Sequence, residues 1–287
     1  MTALLYSRAN APRHRATSHR RDRGVMIWTL LAKAIADRLW LAVIVGALMI
    51  GMGAMVGALW PSMRDTFADL SSGLLDGIVQ AMPGADLTTA IGWVNTELMS
   101  IVAPAAAIAV AVISASRATA GEEEAKTLGV VLSAPVGRLA FLSVKAVAVA
   151  IHVVIVGAFL AVGLIVGDLI GNLGLTATGI LGATVQTVLL GVAFGMLALL
   201  IGAGTGRRRL ATASTGALAA LAFAMNIFLP LSDALAAGAK ISPWYYFSAG
   251  DPLLNGADLG HLLVLCAFAT IPALIAAAVF RRRDLRG

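Results

Sequence analysis

Three consecutive glutamates, Glu122, Glu123 and Glu124, open the stretch 121–138, GEEEAKTLGVVLSAPVGR, which lies between two long apolar runs. Ionised carboxylates are costly in hydrocarbon, so this stretch belongs where water or another macromolecule meets it. Glu122 and Lys126 are four apart, in the order that supports a helix. Carboxylates clustered at a helix amino end would also be favoured by the helix dipole. Leu128, Val131 and Leu132 form a short apolar face, Pro135 stops the helix, and Gly137 with Arg138 turns the chain back. The residues predict a short amphipathic helix that another protein could grip. An ordinary solvated loop fits them as well.

Other polar groups lie inside the apolar runs themselves. His152, Gln186 and Asn226 sit within them, and Asp168, Asn172 and Asp233 near their ends. Such groups are candidates for a transport pathway. Hydrogen bonding between neighbouring helices is the competing use. A proton-coupled carrier would want a carboxylate at mid-membrane, and none stands at the depth of His152. Nor does the chain carry the G-x-x-x-x-G-K-[ST] phosphate loop: before Lys126 and Thr127 the required glycines are replaced by Ala125 and Ala120. There is no HExxH, no nucleophile elbow, no pair of catalytic carboxylates and no metal-ligand cluster. Cys266 is the single cysteine, which excludes an intrachain disulfide. The chain is expected to have no catalytic residue, bound cofactor or metal of its own.

The elements that must carry these groups follow from composition. Of 287 residues, 59% are hydrophobic and 13% charged, and the mean hydropathy is +0.90. Soluble domains hold about twice that share of charge, so the composition is that of a polytopic membrane protein. Six weakly charged runs, 39–60, 98–116, 146–167, 180–204, 210–232 and 261–280, are each roughly 19–25 residues long, enough to cross a hydrocarbon core. Trp40 and Trp60 bracket the first, about 30 Å apart along a helix, where aromatic belts form. Pro104, Pro230 and Pro272 fall in the second, fifth and sixth runs, which membrane helices tolerate. Gly53 and Gly57, Gly163, Gly167 and Gly171, and Gly191 and Gly195 recur every four residues, a spacing that permits close helix crossing.

With both termini cytosolic, Arg64 and Lys240 are the only two of the 21 Lys and Arg residues left outside. The net charge of +6 is thereby explained by membrane orientation and does not call for nucleic acid. Residues 1–25 are basic and without apolar period, and are read as a disordered cytosolic tail. The pair Arg20 and Arg21 is not a twin-arginine signal, because Lys33, Asp37 and Arg38 interrupt the run that follows. Residues 26–38 place Ile27, Leu30, Leu31 and Ile35 at helical spacing and predict an amphipathic helix in the cytosolic interface. On the outer side, Phe67, Leu70, Leu74, Ile78 and Met82 mark one face of a helix. Residues 241–259, with Trp244, Tyr245 and Tyr246, read as a second surface segment. Residues 39–287 are expected to form one six-span, all-helical domain.

The sequence from Glu122 to Lys145 resembles the permeases of the ABC type-2 exporter family. These commonly show an acidic residue, a Thr-Leu pair, an apolar stretch, Pro-Val-Ser-Arg and a lysine at the start of the third span. The chain matches with Glu122, Glu123 and Glu124, Thr127 and Leu128, Pro135 and Val136, Arg138 and Lys145; Gly137 stands where serine is common. The carboxyl-terminal sequence SPWYYFSAGDPLLNGADLGHLLVL is also similar to the end of such permeases. The likeness extends from about residue 39 to 285.

The resemblance implies a bacterial cytoplasmic-membrane exporter in which residues 118–136 form a coupling helix docked on a separate ABC ATP-binding subunit. ATP and Mg would be held by that partner. Glu122, Glu123, Glu124, Thr127, Leu128, Pro135 and Arg138 would make the contact, and two permease copies or paralogues would enclose the path. Apolar spans favour a drug, antibiotic or lipid as cargo. Cell-envelope glycan export, maturation of an extracytoplasmic metalloenzyme, and a non-transporting membrane scaffold or sensor are the alternatives carried forward.

Overall fold

The computed structural model describes residues 13–70, 88–124 and 137–282, and these are helical with no strand among them. Six helices are long and apolar enough to cross a membrane. We number them α1 (Arg13–Leu70), α2 (Ala90–Glu124), α3 (Arg138–Gly171), α4 (Ala177–Thr205), α5 (Arg208–Phe228) and α6 (Leu259–Arg282). They correspond in order to the six apolar runs. Thr127, Leu128 and Pro135, like most of the outer face beginning at Phe67, lie outside the described residues.

The first helix departs from expectation. No break separates an interfacial helix from a first span, and helix already begins at Arg13, within the stretch read as a tail. The charges of Lys33, Asp37 and Arg38 interrupt the apolar pattern but not the backbone, because no Gly or Pro lies between Ile27 and Trp40. The apolar face predicted for residues 26–38 is partly protein-covered: Ala34, flanked by Leu30, Leu31 and Ile35, packs on Val144 and Ala148 of α3. The tryptophans divide. Trp40 is 58% exposed, as a belt residue would be, whereas Trp60 is 6% exposed and belongs to the core.

Glycine sets the closest helix contact. A Cβ added at Gly53 would fall 2.2 Å from the Gly163 carbonyl oxygen, and one at Gly57 would fall 2.2 Å from that of Gly167. The reverse contacts hold too: Gly167 faces the Gly53 carbonyl and Gly171 that of Gly57. Backbones therefore touch directly, which is how helices associate where lipid removes the hydrophobic drive. The four-residue spacing read from the sequence is one face of this α1–α3 crossing. Gly191 and Gly195 on α4 do similar work against Ala107 and Ala111 of α2 and Val153 and Val149 of α3.

Helices α2 and α4 form the centre, with 61% of the most apolar stretch of each buried, whereas α5 and α6 bury 17% of theirs. Pro104 explains a break in α2. It cannot donate to the Ser100 carbonyl, and regular helix is lost at Ser100 and Ile101, where φ reaches −134°. Pro230 falls, as expected, in the fifth membrane-capable segment, Arg208–Leu231, where α5 passes into a short 3-10 turn, Leu229–Leu231. At this end of the bundle Asn95 Nδ2 donates to Asp251 Oδ1 (2.9 Å) and Asn226 Nδ2 donates to Ser248 Oγ (3.3 Å).

Gly53→Val is expected to destabilise the protein by about 1–3 kcal/mol or more, since the new side chain must displace backbone. Gly51→Val serves as the control, because a side-chain carbon added there would meet nothing within 4 Å. It should leave thermal unfolding in detergent unchanged. Equal loss in both variants would contradict the packing described.

Candidate functional site

The acidic turn holds the last described residues of α2 and is tied to three other helices. Helix α2 does not stop at Ser116. It continues through a π turn, Arg117–Gly121, into Glu122–Glu124. The expected helix start at Glu122 is therefore absent, because the three glutamates prolong a helix arriving from the bundle. Wide turns of this kind re-aim side chains and are frequent at functional sites. Here the π turn buries Thr119 and Ala120. Thr119 lies so close to Gly202 of α4 that a Cβ there would meet its Oγ1 at 2.7 Å.

Each glutamate meets a different environment. Glu122 forms an ion pair with Lys145 of α3, and the Lys145 side chain is 9% exposed. The ammonium also lies 5.3 Å from the Phe141 ring centre, in cation–π range. Phe141 in turn stacks on Phe280 of α6 at 6.0 Å. Glu123 is buried. Glu124 Oε1 accepts from the backbone N–H of Arg208 at 2.8 Å, satisfying one orphan donor in the first turn of α5. The dipole favour expected for these carboxylates is thus realised, but on the amino end of α5. Arg138 opens α3 behind the extended Gly137.

Beside the acidic turn lies a polar cavity of about 230 Å³ between α1, α2, α3 and the start of α5. Asp37 and Arg38 of α1, Arg117 and Glu122 of α2, Lys145 and His152 of α3, and Arg208 line it. His152 is 1% exposed, and its Nε2 lies 2.9 Å from the Ile35 carbonyl oxygen. A carbonyl only accepts, so Nε2 carries the proton.

The polar groups expected to mark a pathway are not brought together. His152 stands at this cavity. Gln186 is fully buried in α4, its amide without a hydrogen-bond partner among the described residues. Asn226 bonds Ser248 at the opposite end of the bundle. In the sequence, Arg38, Arg117 and Arg208 stand out only as orientation charges. Their convergence has no local signal, since they come from three separate helices.

Two further cavities are apolar. One of about 400 Å³ lies between α2 and α5, with Ile108, Val112, Ala219, Phe223 and Trp244 in its wall. The other, about 290 Å³, lies between α4, α5 and α6, against Phe194, Leu197, Leu218 and Phe268. Among the described residues no group of His, Cys, Asp or Glu could hold a metal ion.

A bundle of six membrane-capable helices with a charged end and apolar clefts has the build of a multi-pass membrane transporter permease. Residues 30–281 match the family described as "Multidrug efflux system permease Rv1217c, C-terminal domain", and the chain belongs to that family. The match takes in the acidic turn, the whole of α2 to α5, α1 from residue 30 and α6 to residue 281. No curated protein sequence matches the chain.

Replacing Lys145 by Met should strand the Glu122 charge in a half-buried site and cost on the order of 3–5 kcal/mol. The double variant Lys145→Met with Glu122→Gln should recover most of that loss. Thermal unfolding in detergent of the unsubstituted protein, Lys145→Met, Glu122→Gln and the double variant checks this, and additive losses would show that the two side chains do not act as a pair.

Proposed function

We propose that the chain is the membrane-spanning permease subunit of an ATP-driven ABC type-2 exporter in a bacterial cytoplasmic membrane. It moves a hydrophobic or amphipathic cargo (a drug, antibiotic or lipid) outward. The energy comes from a separate ATP-binding subunit holding ATP and Mg. Both termini face the cytosol, and a second permease copy or paralogue completes the path.

One observation carries this reading: the acidic turn is attached to several helices at once. Glu122 holds α3 through Lys145, Glu124 holds α5 through the Arg208 N–H, and Thr119 is wedged against α4 at Gly202. A partner gripping residues 118–136 would therefore pull on α2, α3, α4 and α5 together. The lever needs no catalytic group in this chain, in keeping with a sequence that lacks a phosphate loop.

The cargo class rests on the family's efflux description and on the apolar clefts beside α5. The cleft between α2 and α5 offers an apolar wall capped by Trp244. Leu218, Leu221 and Phe228 leave α5 with an exposed apolar face, which suits either lipid or a second permease.

Two measurements on the natural complex test the proposal. The tagged chain should co-purify with an ATP-binding subunit whose hydrolysis rises when cargo is added. Reversing Glu122, Glu123 and Glu124 to lysine should reduce export by at least about tenfold, the loss expected when several charged contacts invert. Export unaltered by the reversal, with no ATPase recovered, would overturn the proposal and favour a scaffold or sensor.

A further inference from the structure

Four cationic side chains and two carboxylates line the polar cavity: Arg38, Arg117, Lys145 and Arg208 against Asp37 and Glu122. Glu122 is engaged by Lys145. Among the described residues no carboxylate oxygen lies within 4.0 Å of a guanidinium of Arg38, Arg117 or Arg208. All three arginines stand in the wall of the one cavity, where Arg38, itself partly withdrawn from water, also meets the like charges of Arg117 and Arg208 and the opposite charge of Asp37. Arg38 is half-buried while Arg117 and Arg208 reach solvent, so water screens part of their mutual repulsion, and an anion bridging them would relieve the remainder.

The donors fit one kind of anion. Guanidinium groups present planar forks that match phosphate oxygens in pairs of hydrogen bonds. Arg38 of α1, Arg117 of α2 and Arg208 of α5 all line the cavity, and three such forks outnumber the two oxygens of a carboxylate but suit a tetrahedral oxyanion. The cavity, about 230 Å³, has room for it. His152 adds an independent sign. Its Nε2 proton is committed to Ile35, and Nδ1 is buried with no hydrogen-bond partner among the described residues. In the neutral ring Nδ1 is an acceptor. It suits a hydroxyl carried by the anion, such as the P–OH of inorganic phosphate or the glycerol hydroxyl of a phospholipid headgroup.

We infer that this cavity binds the phosphate group of a hydroxyl-bearing phosphate, held by Arg38, Arg117 and Arg208 with His152 accepting from the hydroxyl. The group has two possible sources, an anionic phospholipid of the adjacent leaflet or free phosphate. Leu39 and Trp40, immediately beyond Arg38, are 40% and 58% exposed and offer an apolar path for acyl chains leaving the cavity. The site does not depend on ATP-driven export.

Native mass spectrometry of the full-length detergent-purified chain tests it, with four probes: phosphatidylglycerol, phosphatidic acid monomethyl ester, the phosphate-free lipid dioleoylglycerol, and inorganic phosphate. Phosphatidylglycerol should bind, and dioleoylglycerol should not. Arg38→Gln and Arg117→Gln should each weaken binding by about tenfold, the loss of one charge-assisted contact. Arg209→Gln, at a neighbouring exposed arginine outside the cavity lining, should have no effect. His152→Phe should weaken phosphatidylglycerol more than phosphatidic acid monomethyl ester, which lacks the glycerol hydroxyl. Phosphatidylglycerol bound at least about tenfold more tightly than inorganic phosphate identifies the lipid headgroup as ligand, and inorganic phosphate binding the lipid-free chain as tightly identifies a free-phosphate site. Equal binding of dioleoylglycerol, or equal loss in Arg209→Gln and Arg38→Gln, overturns the inference. Because a variant could misfold, Arg38→Lys serves as a rescue: it should bind better than Arg38→Gln at unchanged thermal stability.

Discussion

Backbone-to-backbone contact between α1 and α3 is the constraint on which the rest of the structure depends. In lipid, apolar side chains gain little by leaving one another for the bilayer, so helix association rests on fit. Gly53 and Gly57 against Gly163, Gly167 and Gly171 allow a separation that no side chain would permit. That approach brings the Ile35 carbonyl to hydrogen-bonding distance of His152 further along the same crossing. It also sets one wall of the polar cavity. Helices α2 and α4 then fill the centre, and α5 and α6 lie outside them with most of their apolar surface exposed.

The charged end obeys a second constraint. Carboxylates and ammonium groups near a membrane persist only when paired or hydrated. Glu122 and Lys145 solve this by pairing, and Glu124 by capping a helix whose amide would otherwise be unsatisfied. Both solutions make the end of α2 a junction of helices. A junction of this kind transmits displacement, whereas a free loop would absorb it. This is the physical basis for reading the acidic turn as a point where force enters.

Much of the fold is legible in the sequence because hydropathy and length alone define membrane-crossing helices. The six apolar runs each lie in a long helix, and the glycine spacing marks the surfaces that touch. Other features are hidden for identifiable reasons. The continuity of α1 through Lys33, Asp37 and Arg38 escapes notice because charge breaks an apolar pattern without breaking a helix. The burial of Trp60 escapes it because one residue's rotation about the axis is set by its neighbours. The prolongation of α2 to Glu124 depends on a π turn, which has no sequence signature. Of the candidate site, Glu122, Glu123 and Glu124 stand out by themselves. The partners Lys145 and the Arg208 amide, and the convergence of Arg38 and Arg117, arise only when distant segments meet. Gln186 stands out for its polarity, and its buried amide has no hydrogen-bond partner among the described residues.

The central claim, that a partner engages the end of α2 from the cytosol, is open to one direct measurement. With Cys266 replaced by alanine, Glu124→Cys is the sole thiol, and a short heterobifunctional photo-crosslinker attached there reports what touches it in native membranes. The account predicts an adduct with an ATP-binding subunit whose yield changes when nucleotide is added. Reaction of the same thiol with a membrane-impermeant reagent applied from outside intact cells, with no protein adduct, would contradict it.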